Sequence, residues 1–128
     1  NKCNFTIAIQ KNWKKKYINR FDHPLDQADK VFIKNNKIMD IGKKLTMNRA
    51  NGEFLGIFKI SKKMCNMLLK EYNLLKKTKN TKKLQLHHFF KYLIKKKINI
   101  KPTYVSGKYM EIDTFNDYKI AKKMFNEK

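Results

Sequence analysis

A chain of 128 residues allows one domain with a modest core, and an apolar fraction of 41% with 12% aromatics belongs to a folded protein, not a disordered one. The formal net charge of +21 points first to a polyanion or a phosphate-rich ligand, but nearly all of it is lysine: Arg20 and Arg49 are the only arginines, and Lys, Asn and Ile share A/T-rich codons. Genome bias is therefore favoured over a nucleic-acid surface; no apolar run is long enough to span a membrane, and Cys3 and Cys65, far apart and without C-x-x-C spacing, fit a reducing cytoplasm better than a disulfide or zinc site.

In chain order, Asn4–Ile9 alternates and is rich in β-formers, which predicts a strand. Lys11 to Lys16 is basic and broken by Trp13; an indole stacking on a base is one reading, and a loop whose single aromatic anchors it to the core is the favoured one. Tyr17 to Pro24 reads as a loop. Val31–Lys34 and Lys37–Ile41 flank Asn35-Asn36, and Asn tolerates the positive φ of a type I′ hairpin turn. Gly42 ends the hairpin and a polar loop runs to Asn51.

Glu53–Ile60 is almost wholly apolar and predicts a buried central strand, with Gly56 allowing close approach of a backbone or ligand. Glu53, at the start of that strand, must find a partner such as a lysine or face a ligand. Ser61 caps a helix through Met64, Cys65, Leu68, Tyr72 and Leu75, and Lys76–Lys83 reads as a basic linker. Leu86, Phe89, Phe90, Leu93 and Ile94 give the cleanest helical period; His87 and His88 are adjacent, predicted to point to different sides, and disfavour a zinc site. Ile98–Val105 reads as a strand made edge-like by Pro102.

The closing stretch predicts a strand over Tyr109–Asp113, then a helix with Thr114 as N-cap and Asp117 as its capping-box partner. Tyr118, Ala121, Met124 and Phe125 form one apolar face of that helix. A carboxylate at the C-terminal end of a strand is where open α/β sheets place ligand chemistry, so Asp113 is the first candidate; its other reading is a second capping residue.

Three segments carry a resemblance. They are Gly107-x-x-x-Glu111-Ile112-Asp113-Thr114-x-x-Asp117-Tyr118, the strand Gly52-Glu53-Phe54-Leu55-Gly56-Ile57, and Tyr17-x-x-Arg20-x-x-His23-Pro24 leading to Ala28-Asp29-Lys30-Val31. Taken in chain order they resemble the C-terminal half of the nucleotidyltransferases that activate phosphocholine, phosphonates (the phosphoenolpyruvate mutase-associated branch) and sugar phosphates. The resemblance implies an α/β fold: a mixed sheet with a β-hairpin and flanking helices, the C-terminal part of a Rossmann-like, GT-A-like domain. It implies transfer of a nucleotide, CTP by branch, from a nucleoside triphosphate to a small phosphorylated or phosphonate acceptor. Asp113 is implied as a Mg²⁺ ligand, and Glu53 and Arg20 as acceptor-side residues. The Gly-rich nucleotide loop and first metal-binding Asp of that family have no counterpart among Gly42, Gly52, Gly56, Gly107 and their surroundings. Residues 1–128, which begin at Asn1 without Met, are thus expected to be a single domain that is the C-terminal fragment of a larger one, inactive alone. The alternative is a small basic module that binds nucleic acid or another polyanion, with a steep loss of affinity in salt.

Overall fold

The computed structural model of the chain describes residues 5–78 and 80–126; Cys3, Asn4 and Lys79 lie outside them. Its strands are β1 (Phe5–Gln10), β2 (Lys30–Lys34), β3 (Lys37–Ile41), β4 (Gly52–Ile60) and β5 (Lys101–Tyr104). Its helices are α1 (Lys62–Thr78), α2 (Leu86–Lys95) and α3 (Phe115–Asn126). The strands make one mixed sheet in the order β3-β2-β4-β1-β5. β1 is parallel to β5 and antiparallel to β4, and β2 is antiparallel to both β3 and β4. Pro102 sits, as its missing N–H requires, in an edge strand.

Alternation along the strands builds the core. Phe5, Ile7 and Ile9 of β1 and Phe54 of β4 are buried in one cluster with Leu68 of α1 and with Phe90 and Leu93 of α2. Phe90 is central: its ring lies 5.2 Å from that of Phe5 and 5.5 Å from those of Phe54 and Phe58. Phe89 instead is half-buried, edge-on to Tyr72. By strand alternation Gln10 and Glu53, cross-strand partners, point to the other face. A second cluster contains Trp13, Tyr17, Ala28, Leu45 and Ala50. Trp13 is a core anchor, only 1% exposed, and not a stacking platform. The hairpin turn is left-handed at both asparagines (φ 50° and 56°), the geometry that type I′ needs.

Several expectations are corrected. Tyr109–Asp113 is not a strand; the chain there is irregular and Ile112 is 56% exposed instead of packed in the core. Side chains take the backbone groups that a ladder would have used: Arg20 donates to the Glu111 carbonyl and the Asp113 N–H donates to Asp117. β4 is buried only as far as Leu55, because β2 pairs with its first two residues and leaves the rest at the sheet margin. Gly56 does not admit a close neighbour: an added Cβ would meet nothing within 4 Å, and its φ of +74° serves the bulge between the Ile7–Phe58 and Ile9–Phe54 pairs. The crowded glycine is Gly52, where a Cβ would stand 2.6 Å from Ile9 Cγ2. α1 runs on through Thr78 into the expected linker, with Lys76 and Lys77 at its negative end. Only Asp117 and Ala121 of α3 are buried, while Tyr118 and Phe125 are about half exposed. His87 is buried and His88 exposed, as adjacent helix positions require, yet their rings remain 4.1 Å apart.

Replacing Phe90 by alanine removes the ring that three others pack on, and is expected to cost about 3–5 kcal/mol in denaturant unfolding. Phe89→Ala should cost clearly less, since that ring is only half-buried.

Candidate functional site

The parallel strands β1 and β5 end on the same side of the sheet, and the antiparallel β4 begins there, opposite Gln10. The connections gathered at this end hold most of the polar chemistry. After β1, a 3₁₀ turn over Trp13–Tyr17 is pinned by its two buried aromatics, which carries Lys16 and Tyr17 over the start of β4. Glu53 is 2% exposed and its carboxylate is met by both the Tyr17 hydroxyl and the Lys16 ammonium. Burial raises the Glu53 pKa against the lowering pull of Lys16 and Tyr17. Burial, then the Glu53 hydrogen bond and charge, raises that of Tyr17.

Arg20 follows three residues later, with its guanidinium stacked 4.9 Å over the Tyr17 ring. Its side chain is 0% exposed, as is that of Asp117, and Nε donates to Asp117 Oδ1 at 2.6 Å. Nη2 donates to the Glu111 carbonyl at 3.2 Å, while Nη1 is buried with no hydrogen-bond partner among the described residues. Asp117 Oδ2 accepts the N–H groups of Asp113 (3.2 Å) and Thr114 (3.1 Å), and the Thr114 hydroxyl accepts the Asp117 N–H at 3.0 Å. The capping box read from the sequence is thus present, and its acidic member also binds a buried arginine. The Arg20 hydrogen bond, helped by those N–H donors, holds the Asp117 carboxyl well below the usual carboxylate range in spite of burial.

Asp113 emerges from this clamp with its side chain 55% exposed, and His23 Nδ1 lies 3.0 Å from its Oδ2. Tyr109 joins the segment to the sheet: its hydroxyl donates to the Leu55 carbonyl at 2.9 Å, and Lys16 lies 4.9 Å over its ring. Burial and the Glu111 charge push the Tyr109 phenol up to about 12.

The three residues singled out in the sequence therefore share one network but differ in access: Asp113 is exposed, whereas Glu53 and Arg20 are sealed among partners. Sequence reasoning did not assign functional roles to Lys16, Tyr17, His23, Tyr109 or Asp117. The Tyr17-x-x-Arg20-x-x-His23 spacing was the available signal, and all three side chains converge here.

Ligand atoms of His23, Asp113 and Asp117 lie within 4.8 Å of one another. Their donor chemistry separates them. Both Asp117 oxygens are occupied by N–H donors, and an imidazole nitrogen is a ligand for softer transition metals than Mg²⁺. Asp113 alone offers an accessible carboxylate, which fits a hard divalent cation that takes its other ligands from phosphates, water or another segment.

No protein-family profile matches the chain. It is 28% identical over 120 residues to the CTP:phosphoglutamine cytidylyltransferase of Campylobacter jejuni, covering 89% of this chain and 47% of that protein. The inositol-1-phosphate CTP transferase of T. maritima superimposes with a TM-score of 0.66 at 20% identity, over 99% of this chain and 48% of its own. A putative glucose-1-phosphate thymidylyltransferase from Bacillus anthracis gives 0.64 at 16% identity, over 99% and 45%. The chain thus resembles nucleotidyltransferases in sequence, has the mixed α/β fold of about half of such a protein, and spans about half the length of the relative it matches.

The depressed Asp117 pKa sets a pH dependence. Its stabilisation is complete above the unfolded carboxylate pKa of about 3.9 and is lost as pH falls below that value toward the folded one. Asp117→Asn, which leaves Arg20 buried and unpaired, should cost about 3–5 kcal/mol at pH 7. Urea melts from pH 7 to pH 2.5 should show that gap narrowing only below about pH 4.

Proposed function

We propose that this chain is the acceptor side of a nucleotidyltransferase that uses CTP. The observation that supports this most directly is the exposed Asp113 carboxylate, held by a buried clamp at one end of a nucleotidyltransferase-type sheet. In the reaction, a phosphate or phosphonate oxygen of the acceptor attacks the α-phosphorus of the triphosphate, and pyrophosphate leaves. Asp113 would hold Mg²⁺, which when bound offsets negative charge on the reacting phosphates. The acceptor would lie over the Lys16–Tyr17–Glu53 unit, so that Glu53 acts on it through those two partners. Arg20, paired with Asp117 beneath the same surface, would act on the acceptor side by holding Tyr17 and the 111–114 backbone in place. The nucleotide loop and a further metal carboxylate would come from another segment, with residues 1–128 acting as the C-terminal part of the domain. Alone, the chain would then be inactive.

CTP is favoured by the C. jejuni relative, whose described acceptor is phosphoglutamine; an acceptor of that class, a small phosphorylated amide, is the first to try. No helix among the described residues is long and apolar enough to cross a membrane, and a cytoplasmic setting belongs to the same reading. The polyanion-binding alternative loses one of its sequence supports, since Trp13 is buried. Exposed lysines occur on the turn after β1, the hairpin and all three helices.

The test is a chimera in which this chain replaces the matching segment of the C. jejuni protein, assayed for pyrophosphate release with CTP and phosphorylated acceptors. Activity is expected, and Asp113→Asn should lower turnover at least about tenfold, equivalent to about 1.4 kcal/mol of transition-state stabilisation. An Asp113→Asn chimera as fast as its parent at limiting and saturating Mg²⁺ would leave Asp113 as a capping residue only.

A further inference from the structure

We propose that Arg20 and Asp117 are positioning residues for Asp113: the buried pair fixes the backbone of residues 111–114 so that the Asp113 carboxylate is presented, preformed, to a divalent cation. This rests on the reading of Asp113 as a cation ligand.

The geometry carries the assignment. Asp113 sits in an irregular segment with no strand to hold it, so its direction must come from elsewhere. Two of its neighbours' backbone groups and its own N–H are tied to one charge pair: the Glu111 carbonyl to Arg20 Nη2, and the Asp113 and Thr114 N–H groups to Asp117 Oδ2. Arg20 in turn is set by its stacking on Tyr17, itself bonded to Glu53 at the start of β4. The sheet thus fixes Tyr17, Tyr17 fixes Arg20, Arg20 fixes Asp117, and Asp117 fixes the main chain of Asp113. A second strap parallels the first, since the Asn116 side-chain amide donates to the Asn19 carbonyl at 3.0 Å.

Stability alone explains the pair poorly. A fully buried ion pair gains little over apolar side chains of the same size, because desolvation offsets the attraction. Here Nη1 also lacks a partner among the described residues, a further cost. What the pair supplies that apolar side chains cannot is direction, as groups behind a metal-binding carboxylate do. The planar fork matters: Nε and Nη2 serve Asp117 and Glu111 at once, which a lysine ammonium cannot reproduce in the same plane.

The experiment titrates this chain, labelled with ¹⁵N, with Mn²⁺ and follows paramagnetic broadening of its amide signals. The variants are Asp113→Asn, Arg20→Lys and the double Arg20→Met/Asp117→Leu. The double variant removes both buried charges and the oxygen that accepts the Asp113 and Thr114 N–H groups while keeping side-chain bulk, and thermal melts identify any variant that is not folded. In the wild type, broadening should centre on residues 111–117 and His23, and Asp113→Asn should abolish it. Arg20→Lys and the folded double variant should need at least about tenfold more Mn²⁺ for half-broadening. Equal Mn²⁺ affinity in the wild type and the folded double variant would overturn the positioning role and leave the Asp113 reading intact. Absence of broadening around Asp113 in the wild type would overturn that reading and this inference with it.

Discussion

The contact on which this end of the molecule depends is the hydrogen-bonded ion pair between Arg20 and Asp117. It joins residues 97 positions apart, the first on the loop after β1 and the second in the first turn of α3. Both side chains are sealed from water, so each is tolerable only because the other is present. Around it the loop and the C-terminal segment exchange backbone-directed bonds, and the Asp117 carboxylate does two jobs: one oxygen closes the capping box and the other receives the guanidinium. A substitution at either residue therefore unfastens the helix start and the loop together.

Physically, the sheet and this clamp divide the work. The sheet is set by alternation and by the aromatic packing around Phe90, and takes from the polar end the partners of its buried carboxylate, Glu53. The polar end needs the sheet: Tyr17 and Lys16 are held by Glu53, the first cross-strand partner of Gln10, and Tyr109 reaches back to the Leu55 carbonyl. Glu53 consequently works as an anchoring acceptor, with its pKa raised by burial, and not as an open carboxylate. Asp113 differs because its backbone is fixed while its side chain faces water, the combination expected of a group that meets a ligand.

What could be read from the sequence was whatever depended on local chemistry. The Asn35-Asn36 turn, the Ser61 cap, the Thr114/Asp117 box, the periodic α2 and the edge position of the Pro102 strand all follow from residues within a few positions of one another. The failures are non-local. Tyr109–Asp113 had strand-like residues, but a strand needs a neighbour, and Arg20 and Asp117 had already taken the backbone groups at stake. The apolar run of β4 suggested burial throughout, yet β2 covers only its beginning. Asp113 was legible as a candidate; that its support comes from Arg20 was not, because no local pattern reports a pairing across 97 positions.

The pairing of acidic groups with basic ones has a consequence for the space outside the protein. Asp29, Asp40, Glu53, Asp113 and Asp117 each face a lysine, arginine or histidine within the fold. With ten acidic residues against 31 lysines and arginines, little negative charge remains to oppose the exposed lysines. The surrounding solution is therefore an anion-enriched atmosphere extending about 8 Å at physiological ionic strength. Phosphorylated metabolites would enter that layer from any direction and search the surface at raised local concentration before meeting a site. A lysine content set by codon usage would in this way quicken encounters with small anions, without any one lysine being placed for the purpose.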